Sequence, residues 1–126
     1  MPVIPESMND ELARVMAVLQ QNKDKEFVQR ILEPKKYPML KTPDGKGYMT
    51  HKMAWGEADG KFYVYPTIAY DGKRLIDNSN DDKAAWRYAV KNKNLIEFPS
   101  AEQADWFSRR YKAFWEATGF DPGAKR

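Results

Sequence analysis

Two dipeptides, Asp59-Gly60 and Asp71-Gly72, constrain this chain more than any other feature. Each lies between runs with the two-residue alternation of β-strands. Asp-Gly favours tight hairpins because it tolerates the positive φ angles that such turns need. The dipeptides divide residues 48–58, 61–70 and 73–76 into three expected strands of an antiparallel meander. A two-residue first loop fixes the register: Ala58 faces Lys61, Trp55 faces Val64, Met53 faces Pro66 and His51 faces Ile68. One face then collects Met49, His51, Met53, Trp55, Phe62, Val64 and Ile68. The other collects Tyr48, Thr50, Lys52, Ala54, Tyr63, Tyr65 and Thr67. The first is the expected core side, since sheet faces alternate. Pro66 cannot donate to a ladder, which predicts a bulge or pairing on one side only.

The flanking segments carry helical periods. Leu12, Val15, Met16 and Leu19 form one stripe, with Ser7 as the expected cap. Phe27, Val28, Ile31 and Leu32 form a second, shorter one, capped by Asp24 and ended by Pro34. Prolines 34, 38 and 43 and Asp44-Gly45 predict an extended loop with a short strand at 37–41. Asn78 or Asn80 is expected to cap a helix over 81–91, whose stripe is Ala85, Trp86, Ala89 and Val90. Residues 95–98 read as a short fourth strand. Ser100 and Gln103 form a capping box for a last helix that runs to about residue 117, with Gly119 as its stop. Ala104, Phe107, Tyr111 and Phe114 make its inward stripe.

The residues therefore specify an α+β fold: a three- to four-stranded antiparallel meander packed against several helices. One domain is expected over residues 1–126, with loose ends at 1–6 and 120–126. The expected core contains Leu12, Met16, Phe27, Ile31, Met53, Trp55, Val64, Ile68, Trp86, Phe107, Tyr111 and Phe114.

Composition excludes several chemistries. There are no cysteines, so disulfides, thiolate catalysis and cysteine-ligated metals are out. No apolar run nears the roughly 20 residues of a membrane helix, and the N-terminal MPVIPESMNDEL lacks the pattern of a signal peptide. Basic and acidic residues number six and six over 1–37, six and four over 38–76, and nine and eight over 77–126. No segment is a basic block of the kind that binds phosphate backbones.

His51, the only histidine, is the natural base for a hydrolase if a carboxylate orients it. Its place on the core face favours a buried histidine bonded to backbone. No carboxylate pair, metal-ligand spacing, nucleophile elbow or phosphate loop accompanies it, so neither a catalytic set nor a cofactor is assigned. Tyr48, Lys52, Tyr63 and Tyr65 on the second sheet face make a possible nucleic-acid platform, unless helices cover that face. The last helix carries more rings than one stripe requires. Trp106, Arg109, Arg110 and Trp115 are its expected partner-binding residues, unless the first helix covers them.

Three stretches also resemble a known family: NKDKEFVQRILEPKKYP at 22–38, THKMAWGEADGKFYVYPTI at 50–68 and EFPSAEQADWFSRRYKAFW at 97–115. Their order is similar to that of a small domain encoded by tailed bacteriophages and prophages, alone or within large virion-associated proteins. The resemblance implies no catalytic residues. It implies a phage origin; with the missing catalytic set and the ring-rich last helix, the expectation is a non-enzymatic virion or virion-assembly protein, in the particle or the host cytoplasm, that binds other phage proteins or itself. A small nucleic-acid-binding or host-takeover protein is the alternative, and a His51 hydrolase a further one.

Overall fold

The computed structural model describes residues 6–42, 45–46 and 48–120. Of the expected loose ends at 1–6 and 120–126, residues 1–5 and 121–126 lie outside them, as do loop residues 43, 44 and 47, whereas Glu6 begins α1 and Phe120 is buried in the core. The elements run α1 (Glu6–Gln21), α2 (Glu26–Leu32), a 3-10 turn at Pro34–Lys36, β1 (Leu40–Lys41), β2 (Tyr48–Met49), β3 (Met53–Ala58), β4 (Lys61–Pro66), β5 (Ile68–Tyr70), β6 (Leu75–Asp77), α3 (Asp82–Lys91), β7 (Ile96–Phe98), α4 (Ala101–Arg110) and α5 (Ala113–Thr118). The fold is α+β, with antiparallel strands packed on helices.

Asp59 and Gly60 both take positive φ, +54° and +78°, as a type I′ turn requires. The β3–β4 hairpin has the expected register, Ala58 opposite Lys61, Trp55 opposite Val64 and Met53 opposite Pro66. Pro66 causes no bulge. It ends β4, and its missing N–H would point to the β7 side, beyond the last paired residue, Ile96.

The meander, however, is interrupted. The central sheet has the order β3-β4-β7, while β1-β2 and β5-β6 are separate two-stranded ladders. The expected strand over 48–58 breaks at 50–52, so His51 does not face Ile68. The second strand breaks at Thr67, whose N–H and hydroxyl both donate to the Lys52 carbonyl, at 2.7 and 3.0 Å. Beyond it the chain turns away into the β5–β6 hairpin. There the Asp71 carboxylate accepts the N–H groups of Lys73 and Arg74.

Both faces of the central sheet are covered. Met53, Phe62, Val64, Ile96 and Phe98 face the main core with Val15, Leu19, Phe27, Val28, Ile31, Phe107, Tyr111 and Trp115. Ala54 and Tyr65 face α3 through Ala85, Ala89 and Trp86. Two expected core residues lie outside. Trp55 is 38% exposed, because β3 is an edge strand and the indole N–H reaches the Asp105 carboxylate at the surface. Met16 is 38% exposed, because α1 is rotated so that Val15 and Leu19 point inward, flanked by Leu12 and Val18.

Helix ends follow local chemistry with three differences. Ser100 caps α4, as expected. α1 begins at Glu6, one residue before its expected cap. α3 is capped by Asp81, which accepts the Ala84 N–H, rather than by either asparagine. The first residue outside α2 is Lys25, and no local side chain caps this helix. Its Phe27 N–H is instead taken by the Asn94 side chain at 3.1 Å, from 67 residues away. The last helix is broken at Tyr111–Lys112 and ends at Gly119, whose φ of +80° is the left-handed stop expected there.

Asn94 is 3% exposed, so truncation leaves a buried donor without a partner. Asn94→Ala should lower the free energy of unfolding by about 1–3 kcal/mol in urea titrations. A loss below about 0.5 kcal/mol would show that this long-range cap is incidental.

Candidate functional site

Arg30 stands within the apolar stripe of α2, one residue before Ile31, and is 1% exposed. A buried guanidinium needs acceptors for its N–H groups. Nη1 donates to the Thr50 carbonyl and Nη2 to the Ile68 carbonyl, both at 2.8 Å. Nε donates to the Glu26 carboxylate one turn back. Glu26 also accepts the Asn94 side-chain amide at 3.3 Å. The two carbonyls belong to the segments where the expected long strands break. The sequence signal for this centre is a cation in an apolar stripe, four residues after a glutamate.

His51 lies beside it, 6% exposed. Nε2 is 3.1 Å from the Phe27 carbonyl, which can only accept, so Nε2 carries the proton. Nδ1 then accepts the Thr50 hydroxyl at 2.9 Å. The ring lies 5.2 Å from that of Trp115 and 6.1 Å from that of Tyr111. Burial, reinforced by the Arg30 charge, holds the His51 pKa well below the usual imidazole range. Burial also pushes the Tyr111 phenol upward. A hydroxyl beside a neutral imidazole matches a nucleophile with its base, but Thr50 is only 2% exposed and both ring nitrogens are committed to the fold. Among the described residues, no cluster of three or more His, Asp or Glu could hold a metal ion.

The expected partner row on the last helix is largely taken up inside the chain. Trp115 is 3% exposed and donates to the Ile31 carbonyl at 2.9 Å, so it is a core residue. The turn at Tyr111–Lys112 brings α5 toward α2. Arg110 bonds Glu11 of α1 at 2.7 Å and Glu116 of α5 at 3.2 Å. That bond holds the Glu11 carboxyl below its usual range. Trp106 is half-buried, with the Arg14 guanidinium 5.5 Å from its ring. Arg109 alone projects into solvent, paired with Asp105. The first helix thus takes up Arg110 and part of Trp106, Trp115 belongs to the core, and Arg109 stays exposed.

The four platform residues do not fall on one element. Tyr48 belongs to the β1–β2 ladder, and Lys52 lies in the break between β2 and β3. Tyr63 and Tyr65 lean on Trp86 of α3, at 5.7 and 5.3 Å between ring centres. Burial under α3 raises the Tyr65 pKa, helped by the Asp82 charge.

An open groove remains at the seam of α3 and the sheet. Its volume is about 340 Å³, and Tyr63, Trp86, Val90 and Leu95 line it between Lys25 and Lys93. Val90 is 48% exposed, against the inward place expected for it. A second hollow of about 270 Å³ adjoins Trp86 over Gly56 and Tyr65. The sequence reading treated Trp86 and Val90 as ordinary stripe residues, since periodicity does not reveal where a short helix overhangs a sheet.

No family model, curated protein or solved structure matches this chain.

The sealed histidine has a measurable consequence. In the unfolded chain His51 takes a proton near pH 6.5; in the folded chain it does so only well below that. Between those limits the unfolded state binds more protons, so stability is fully present above about pH 6.5 and falls as pH drops, by at most ~1.4 kcal/mol per unit. His51→Gln should remove this part of the slope in unfolding measurements between about pH 5.5 and 7. Equal slopes in variant and wild type would contradict the assignment.

Proposed function

We propose that this chain is a non-enzymatic protein that acts by protein–protein binding, as a component of a bacteriophage particle or of its assembly. The observation that carries the binding reading is the groove at Tyr63, Trp86, Val90 and Leu95. It is open and mainly apolar, with Lys25, Lys93 and Asp59 among its lining residues, the composition of a surface that receives an apolar side chain with polar neighbours. The phage setting rests on the sequence resemblance. Commitment of both His51 nitrogens and of the Arg30 guanidinium to internal bonds favours binding over hydrolysis. The burial of Tyr65 under α3 favours it over base stacking on the sheet.

Val90→Lys tests the reading, because Val90 is exposed and the change should alter folding stability by less than about 0.5 kcal/mol. Quantitative mass spectrometry of purified particles should find the wild-type chain in fixed copy number. The variant should be incorporated at least about tenfold less, as expected for a lost interface anchor. Absence of the wild-type chain from particles, or equal incorporation of the variant, would overturn the proposal.

A further inference from the structure

Among the described residues, the outer edge of the central sheet, along β3, has no strand paired to it. In an antiparallel ladder, alternate residues bond the neighbouring strand and those between point their N–H and C=O groups away. Two observations fix which is which in β3. The Thr67 N–H donates to the Lys52 carbonyl at 2.7 Å, so even-numbered residues bond β4. The two-residue turn closes on the Ala58–Lys61 pair, which gives the same parity. Met53, Trp55 and Glu57 therefore aim their backbone groups outward. No hydrogen bond among the described residues takes these groups up.

Sheet edges are commonly guarded by proline, by a bulge or by short length. β3 is six residues long and has neither proline nor bulge. β7, at the other edge, is three residues long. Trp55, at the midpoint of the outward set, is one of the few large apolar residues exposed. Gly56 beside it has open space where a Cβ would stand.

We propose that β3 pairs antiparallel with β3 of a second copy, about a two-fold axis at Trp55, to form a continuous six-stranded sheet. Only outward residues can form the bonded pairs, so Trp55 meets Trp55 of the other copy and Met53 meets Glu57. Charge selects the antiparallel sense. Exposed Lys52 precedes the strand, and exposed Glu57 and Asp59 lie at its far end. Antiparallel pairing sets each Lys52 opposite Ala58 of the other copy, one residue from Glu57 and Asp59, whereas parallel pairing would bring like ends together. An isologous contact of this kind closes on itself as a dimer. Ala58 and Asp59, at the end of β3, also line the Trp86 groove, so Val90→Lys, which alters the groove outside β3, separates this contact from the role proposed there.

Sedimentation of the full chain from about 10 to 500 µM should show a concentration-dependent dimer. Exchange of the Met53, Trp55 and Glu57 amides should slow as the dimer forms. Glu57→Pro removes one outward N–H while leaving the β3–β4 bonds intact, and should weaken the dimer at least tenfold. Trp55→Lys, which sets two cations at the axis, should do the same and decides the matter if the proline variant does not fold. Val90→Lys should leave the dimer unchanged. A wild-type chain that stays monomeric throughout would overturn the proposal. So would folded Trp55→Lys that dimerises as tightly as wild type, or loss of the dimer in Val90→Lys.

Discussion

The bonds of Arg30 hold the fold together at the points where its sheets separate. One guanidinium on α2 binds a carbonyl between β2 and β3 and another at the start of β5. It therefore links one helix to three ladders that share no continuous hydrogen-bonding pattern. Glu26 balances the charge and Asn94 extends the network to the segment before β7. Removing one member of such a buried ionic set typically costs about 3–5 kcal/mol, because the remaining groups stay desolvated. That is a large share of a small domain's stability. His51 completes the arrangement by joining the Phe27 carbonyl to Thr50, the residue that also receives Arg30.

This centre explains the enclosure of the central sheet. With α2 fixed beside Thr50 and Ile68, α5 closes over it through the bond from Trp115 to Ile31. α1 then lies across α4 and α5, with Glu11 on Arg110. The other face takes only α3, which leaves Val90 overhanging an open seam. Function is accordingly sought at the margins of the fold, along that seam and the β3 edge, because the interior polar groups are committed to one another.

Much of the local structure was legible in the sequence. Asp59-Gly60 set the hairpin register, Ser100 and Gln103 the start of α4, and Gly119 the end of α5. Within the β3–β4 hairpin the two faces follow the expected alternation, Met53, Phe62 and Val64 toward the main core and Ala54 and Tyr65 toward α3, because alternation is a local property. The strand breaks were not legible, since they depend on an arginine 20 residues before Thr50 and 38 before Ile68. The cap on α2 was missed for the same reason: Asn94 supplies it from a distant segment. Trp115 was legible as a core residue from its spacing, four residues after Tyr111 and eleven after Ala104; only its assignment to the partner-binding set fails, since it is 3% exposed. Of the candidate surfaces proposed from ring content, Trp115 and Tyr65 are buried within the chain, while Trp106 and Tyr63 are only partly covered. The remaining groove depends on how far α3 overhangs the sheet, which periodicity does not encode.

Nitrogen-15 NMR of the His51 ring across the pH range tests most directly the claim that a sealed polar centre holds the fold together. The account predicts a neutral ring with its proton on Nε2, unchanged as pH falls until the whole protein unfolds. Titration of His51 near pH 6.5 with the native spectrum otherwise preserved, or a proton on Nδ1 instead, would contradict it.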